Sequence, residues 1–103
     1  MSAINVTKHN FHSEILSSEK RVLLDFFAPW CGPCRTVLPI VDGIARERED
    51  IRVGKINVTE EPELAGAFGV MSVPTLVVLE DGKVISRTVG MKSRGAILEM
   101  LEG

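Results

Sequence analysis

Apolar positions along the chain switch repeatedly between strand-like and helix-like spacing. Ala3 to Val6 predicts a short strand. Thr7 then offers a capping hydroxyl to a helix carrying Phe11, Ile15 and Leu16 at i, i+4 and i+5. Arg21 to Phe27 reads Arg-Val-Leu-Leu-Asp-Phe-Phe, a near-continuous apolar run that predicts a strand covered on both faces. A longer helix is predicted from Pro33 to Glu49, with Val37, Leu38, Ile40, Val41, Ile44 and Ala45 on its inner stripe. Its far end, Arg46 to Asp50, is all charged and predicts solvent exposure. Ile51 to Val58 alternates as a strand does. Glu60 to Phe68 predicts a short helix with Pro62 in its first turn, where a missing N–H costs little. Thr75 to Leu79 and Lys83 to Val89 predict strands joined by Asp81-Gly82, a dipeptide favoured in tight hairpins. Ser93 is placed to cap a last helix that packs Ile97, Met100 and Leu101.

The predicted order is β-α-β-α-β-α-β-β-α. Early alternation calls for parallel crossovers, and the Asp-Gly hairpin adds an antiparallel pair. The expected fold class is α/β, a central mixed five-stranded sheet flanked by four helices in three α/β/α layers. No repeat, low-complexity tract or linker interrupts residues 1–103, so a single domain is expected. Twelve Lys and Arg against 14 Asp and Glu leave a formal charge of −2, which gives no electrostatic reason to expect nucleic acid as a partner. No apolar window approaches the roughly 18 residues of a spanning helix, so no membrane association is expected. The first residues lack a basic and an apolar region, which predicts no secretory signal and a cytoplasmic location. Asn5-Val6-Thr7 and Asn57-Val58-Thr59 match the glycosylation pattern, but without a signal both read as chance matches.

The chain has only two cysteines, Cys31 and Cys34, within Trp30-Cys31-Gly32-Pro33-Cys34. This segment lies where the buried strand ends and the long helix begins. Residues i and i+3 of a first helical turn share a face, so the two sulfurs can come within bonding distance. At the helix start, free backbone N–H groups and the macrodipole favour a thiolate at Cys31, making it the expected nucleophile. Cys34, one turn further in, is the expected resolving thiol. Pro33 suits the first turn, and Gly32 leaves room for a partner to approach. Three other readings account for the pair less well. A purely structural disulfide across so short a loop offers little entropic gain. Zinc would need His9 and His12 to complete its ligand set, in an unusual order, so no metal is expected. Two inert core thiols suit a Trp-Cys-Gly-Pro-Cys turn poorly. Redox chemistry accounts for the pair best.

Phe26-Phe27-Ala28-Pro29-Trp30-Cys31-Gly32-Pro33-Cys34-Arg35 resembles the active-site segment of the thioredoxin family. Asp25, Lys55, Val73-Pro74-Thr75, Pro39 and Gly90 fall where that family's landmarks are expected, so the resemblance spans essentially the whole chain. It implies the thioredoxin fold and reduction of protein disulfides by thiol–disulfide exchange. The resemblance places Asp25 beneath the cysteines as the proton acceptor that activates Cys34, through water, with Lys55 as its modulating cation. An Asp in an apolar run is desolvated, which raises its pKa towards that role. The resemblance also implies a cis Val73-Pro74 peptide facing the cysteines, leaving the Val73 backbone free to pair with an extended substrate. Trp30, Gly32, Pro33, Val73, Gly90 and Met91 would form a flat apolar rim for disulfide-bearing protein substrates. The family implies a monomer, re-reduction by a thioredoxin reductase or equivalent donor, and no cofactor; no glycine-rich phosphate loop is present.

Two departures stand out. Many thioredoxins have Trp where this chain has Phe27, and an acidic residue where it has Thr59. Indole donor and carboxylate acceptor are absent together, so neither leaves the other unpaired. Two rival functions fit the same residues. One is an oxidase or isomerase of exported proteins, which Gly32-Pro33 and the missing export signal disfavour. The other is a redox-independent binding or assembly subunit that docks through the Trp30/Pro74 surface.

Overall fold

The computed structural model describes residues 3–103. Five strands form one mixed sheet in the order β1-β3-β2-β4-β5: β1 (Ile4–Asn5), β2 (Arg21–Phe27), β3 (Ile51–Asn57), β4 (Thr75–Glu80) and β5 (Lys83–Val89). β1 and β2 run parallel to β3, whereas β4 is antiparallel to β2 and β5. Three α-helices, α1 (Gly32–Glu47), α2 (Pro62–Ala67) and α3 (Arg94–Glu102), and a π-helical segment (His12–Leu16) cover the sheet. The element order is the one the hydropathy pattern predicts. Among the described residues no helix is long and apolar enough to cross a membrane.

Strand alternation sorts the core into two layers. Leu23, Val53, Leu76 and Val78 face α1 and α3, packing on Val37, Val41, Ile44, Ile97 and Leu101. Val22, Leu24, Phe26, Ile56 and Val77 face the other side, against Ile15, Leu64 and the half-buried Phe11 and Phe68. Gly54 lies on that second face because the chain approaches too closely for a side chain. A Cβ there would meet Val6 Cγ2 at 2.6 Å and Leu24 Cδ2 at 3.1 Å. The hairpin turns on Asp81 (φ 51°) and Gly82 (φ 77°), the two positive values a type I′ turn requires. The Ser93 hydroxyl accepts the Ala96 N–H at 3.2 Å, capping α3 as predicted.

Three expectations need correction, and one is brief: the short helix predicted from Glu60 to Phe68 is confined to Pro62–Ala67. The predicted helix after Thr7 begins as a capped turn, with His9 N–H on Thr7 Oγ1 (3.2 Å) and Thr7 N–H on Asn10 Oδ1 (2.8 Å). It then widens: Ser17 N–H reaches back five residues to the His12 carbonyl at 2.9 Å. Ile15 is buried as predicted, but Leu16 is 39% exposed and lies over the hairpin beside Gly82. The long helix also ends at Glu47, two residues early. Arg48 turns extended there, and its guanidinium is held by Asp50 at 2.8 Å and Glu102 at 3.1 Å.

Candidate active site

Strand β2 delivers the chain to the start of α1, and Cys31 is the residue at which the helix begins. Its backbone is extended (φ −88°, ψ 114°), and its sulfur accepts the Cys34 N–H at 3.2 Å. Sulfur thus occupies the place of a capping oxygen, at the positive end of a 16-residue helix. Cys31 and Cys34 are joined as a disulfide, with Cα atoms 5.3 Å apart. Cys34 is fully buried, while Cys31 keeps a narrow exposed edge. Gly32 and Pro33, between them, are exposed.

The Val73-Pro74 peptide is cis, as the family resemblance implies. The Val73 carbonyl oxygen lies 3.8 Å from Cys31 Sγ, so this loop adjoins the cysteine pair. Gly90 N–H donates to the Pro74 carbonyl at 2.8 Å, tying the end of β5 to the same loop. Trp30 is 70% exposed, Met91 is exposed, and Val73 and Gly90 are half-buried. Pro74, by contrast, is buried beneath this surface.

Asp25 sits on the face of β2 that looks towards α1, next along from Leu23. It is 0% exposed, and neither carboxylate oxygen has a hydrogen-bond partner among the described residues. Burial pushes its carboxyl up from the ordinary 3.8 to about 7; the Lys55 ammonium opposes this and the Asp42 carboxylate adds to it. Lys55 stands directly across the parallel register from Asp25 and is half-buried. A buried carboxyl poised near neutrality can take and return a proton.

A matching family model, Thioredoxin, covers residues 2–103 of the chain. The chain belongs to the thioredoxin family. It is 46% identical over 101 residues to a thioredoxin of Mycobacterium tuberculosis, covering 97% of this chain and 87% of that one. A bifunctional thioredoxin reductase/thioredoxin of Mycobacterium leprae is 43% identical over 99 residues, 95% of this chain and 22% of that protein. Among solved structures, a mutant thioredoxin from Halobacterium salinarum aligns with a TM-score of 0.90 at 36% identity, over 98% of this chain and 88% of that one. With Cys31 and Cys34 at bonding distance, this thioredoxin-family chain is a thiol–disulfide oxidoreductase, a protein-disulfide reductase of the thioredoxin type. Neither the family nor the bonded pair favours a redox-independent subunit.

Three residues escaped the sequence reading. Val58 packs with Phe27 against Ala28, Cys31 and Cys34, and its N–H donates to the Phe27 carbonyl at 2.9 Å. Its signal was its place as the last apolar residue of the strand predicted over Ile51 to Val58, one step past where β3 ends. Asp42 interrupts the apolar stripe of α1, a hint that it lies near the sheet, and its Oδ1 accepts the Ala3 N–H at 2.9 Å. Met71 is 95% exposed two residues before Val73. The two family departures are also accommodated locally. Thr59 gives both its hydroxyl (2.6 Å) and its N–H (2.9 Å) to Asn57 Oδ1, while Phe27 packs apolar against the cysteine cluster.

Proposed function

We propose that reduced Cys31 attacks one sulfur of a target disulfide, that Cys34 resolves the adduct, and that Asp25 serves Cys34 as base. Attack by the Cys31 thiolate forms a mixed disulfide and releases the first target sulfur as a thiolate. The Asp25 carboxylate accepts the Cys34 proton through water. Cys34 then attacks Cys31 Sγ, releasing the second target sulfur and closing the Cys31–Cys34 disulfide. Two electrons pass to the target.

One observation carries this assignment: Cys31 Sγ is the N-cap acceptor of the helix, hydrogen-bonded by the Cys34 N–H. Negative charge on that sulfur strengthens the bond and is stabilised by it. Lys55 modulates Asp25 from the opposing strand. Trp30, Gly32, Pro33, Val73, Gly90 and Met91 receive the substrate, an extended disulfide-bearing segment that aligns beside the Val73 backbone, with Pro74 shaping the loop from beneath. A thioredoxin reductase returns the electrons, a role supported by the M. leprae relative in which reductase and thioredoxin are one protein. The chain works as a monomer in the cytoplasm, where thiols are kept reduced.

Trapping tests the assignment. Cys34→Ser should accumulate a covalent mixed disulfide with native, disulfide-bonded insulin or another protein disulfide, and Cys31→Ser should form none. Asp25→Asn should slow resolution of the adduct by about tenfold or more, against the roughly 10²–10⁴ of positioned bases. Adduct formation by Cys31→Ser through Cys34 would reverse the two roles. Unchanged single-turnover resolution in Asp25→Asn would remove the base.

A further inference from the structure

The chain has four methionines, and two of them stand exposed in the segments that flank the cysteine pair. Met71 is 95% exposed and precedes Val73, whose carbonyl lies 3.8 Å from Cys31 Sγ. Met91 is 56% exposed and follows Gly90, whose N–H is bonded to the Pro74 carbonyl. The Gly90–Pro74 bond therefore brings both methionine-bearing segments to one loop. Met100, by contrast, is half-buried in α3 and packs on the core.

A thioether is a soft nucleophile that peroxides oxidise, and its reactivity follows its exposure. In the disulfide state Cys31 and Cys34 have no thiolate to offer, so Met71 and Met91 are the open sulfur nucleophiles beside the site. We propose that Met71 and Met91 form an oxidation site for peroxides, through which conversion to sulfoxide weakens docking of protein disulfides. The proposal rests on the substrate rim assigned above and adds Met71 to it. In the step, the sulfur lone pair attacks one peroxide oxygen, the O–O bond breaks and an S–O bond forms. Sulfur loses two electrons, and hydrogen peroxide is reduced to water. The product is polar and chiral where the rim was apolar and pliable. Apolar contact with a substrate segment is lost, while the sulfurs of Cys31 and Cys34 are untouched.

The test uses the full chain in its disulfide form, treated with dilute hydrogen peroxide and then reduced by a dithiol. Peptide mass spectrometry should find an added oxygen on Met71 and Met91 about tenfold sooner than on Met100. After treatment, KM for a protein disulfide such as insulin should rise about fivefold, as expected for losing part of the apolar contact that two methionines make once a substrate covers them. The rate with a small aromatic disulfide, which needs no rim, should stay unchanged. The double variant Met71→Leu, Met91→Leu keeps apolar side chains that peroxide cannot oxidise, so its KM should match that of its own untreated sample. Oxidation of Met100 at the same rate, an unchanged KM in the doubly oxidised protein, or an equal rise in the double variant would each overturn the proposal. Failure of the dithiol reading is seen separately, as untreated protein that cannot reduce the small disulfide, and would overturn both.

Discussion

Asp25 and Lys55 face each other across the parallel register of β2 and β3, one wholly buried and without a hydrogen-bond partner among the described residues, the other half-buried. The charge that would neutralise Asp25 is therefore close, but it does not remove the cost of burial, and the carboxyl titrates near 7. Burial wins over the lysine.

That balance makes stability depend on pH in a defined sense. In the unfolded chain Asp25 ionises near 3.8, whereas in the fold it holds its proton to about 7. Across that window the folded state binds more protons than the unfolded one, so stability falls as pH rises, and the deficit stays constant above it. At roughly 1.4 kcal/mol per tenfold change in proton affinity, the deficit reaches about 4 kcal/mol. Asp25→Asn should thus be the more stable protein at about pH 8 and lose that advantage towards pH 4. Urea unfolding of the disulfide form at both pH values checks this. A parent protein as stable as the variant at alkaline pH would count against a buried, ionising carboxyl.

The two neighbours of Asp25 push in opposite directions, and so should their variants. Lys55→Gln removes the cation that holds the carboxyl down, so the pH midpoint of mixed-disulfide resolution should move up. Asp42→Asn removes the like charge while keeping an oxygen for the Ala3 N–H, so the midpoint should move down. Single-turnover rates across pH read both shifts. Movement in the same direction in both variants would contradict the electrostatic account.

Gly54→Ala should destabilise the fold by about 1–3 kcal/mol, the usual cost of overfilling a packed core. The new methyl group would press on Val6, Leu24 and Ile15 at once, which are all buried. Because Val6 and Ile15 belong to the first segment of the chain, hydrogen exchange should quicken there before it does in α1. Uniform protection with unchanged stability would mean that the neighbours give way without cost.

Ser93→Ala removes the side chain that accepts the Ala96 N–H, and α3 should lose about 1 kcal/mol of stability. The denaturation midpoint should fall with an unchanged slope. No residue of α3 packs in the cluster around Cys31 and Cys34, so the rate of insulin reduction should be unaffected.

The hydropathy pattern alone determined much of this protein. The limits of β2 are as predicted, because a run buried on both faces leaves no ambiguity about where water begins. The cysteine pair was legible as chemistry because two thiols at i and i+3 of a helix start have few other uses. Its helix end was less legible, since Arg48 leaves α1 for partners at Asp50 and Glu102, the latter 54 residues away. The widened turn at His12–Leu16 was also hidden, because periodicity tells a buried face from an exposed one but not a four-residue from a five-residue hydrogen bond.

What the sequence by itself determined is the inventory: two cysteines at i and i+3 of a helix start, one acid in an apolar strand and the order of the elements. What only the tertiary structure decided is how those groups act on each other. Asp25 is poised near neutrality because β2 is central in the sheet, because Lys55 falls opposite it in register and because Asp42 faces the sheet from α1. Val58 closes on the cysteines, and Met71 stands open beside them, through contacts and exposures that link distant stretches of chain. Burial and Coulomb interaction depend on distance in space, and local periodicity carries no information about pairs that meet only when the sheet forms.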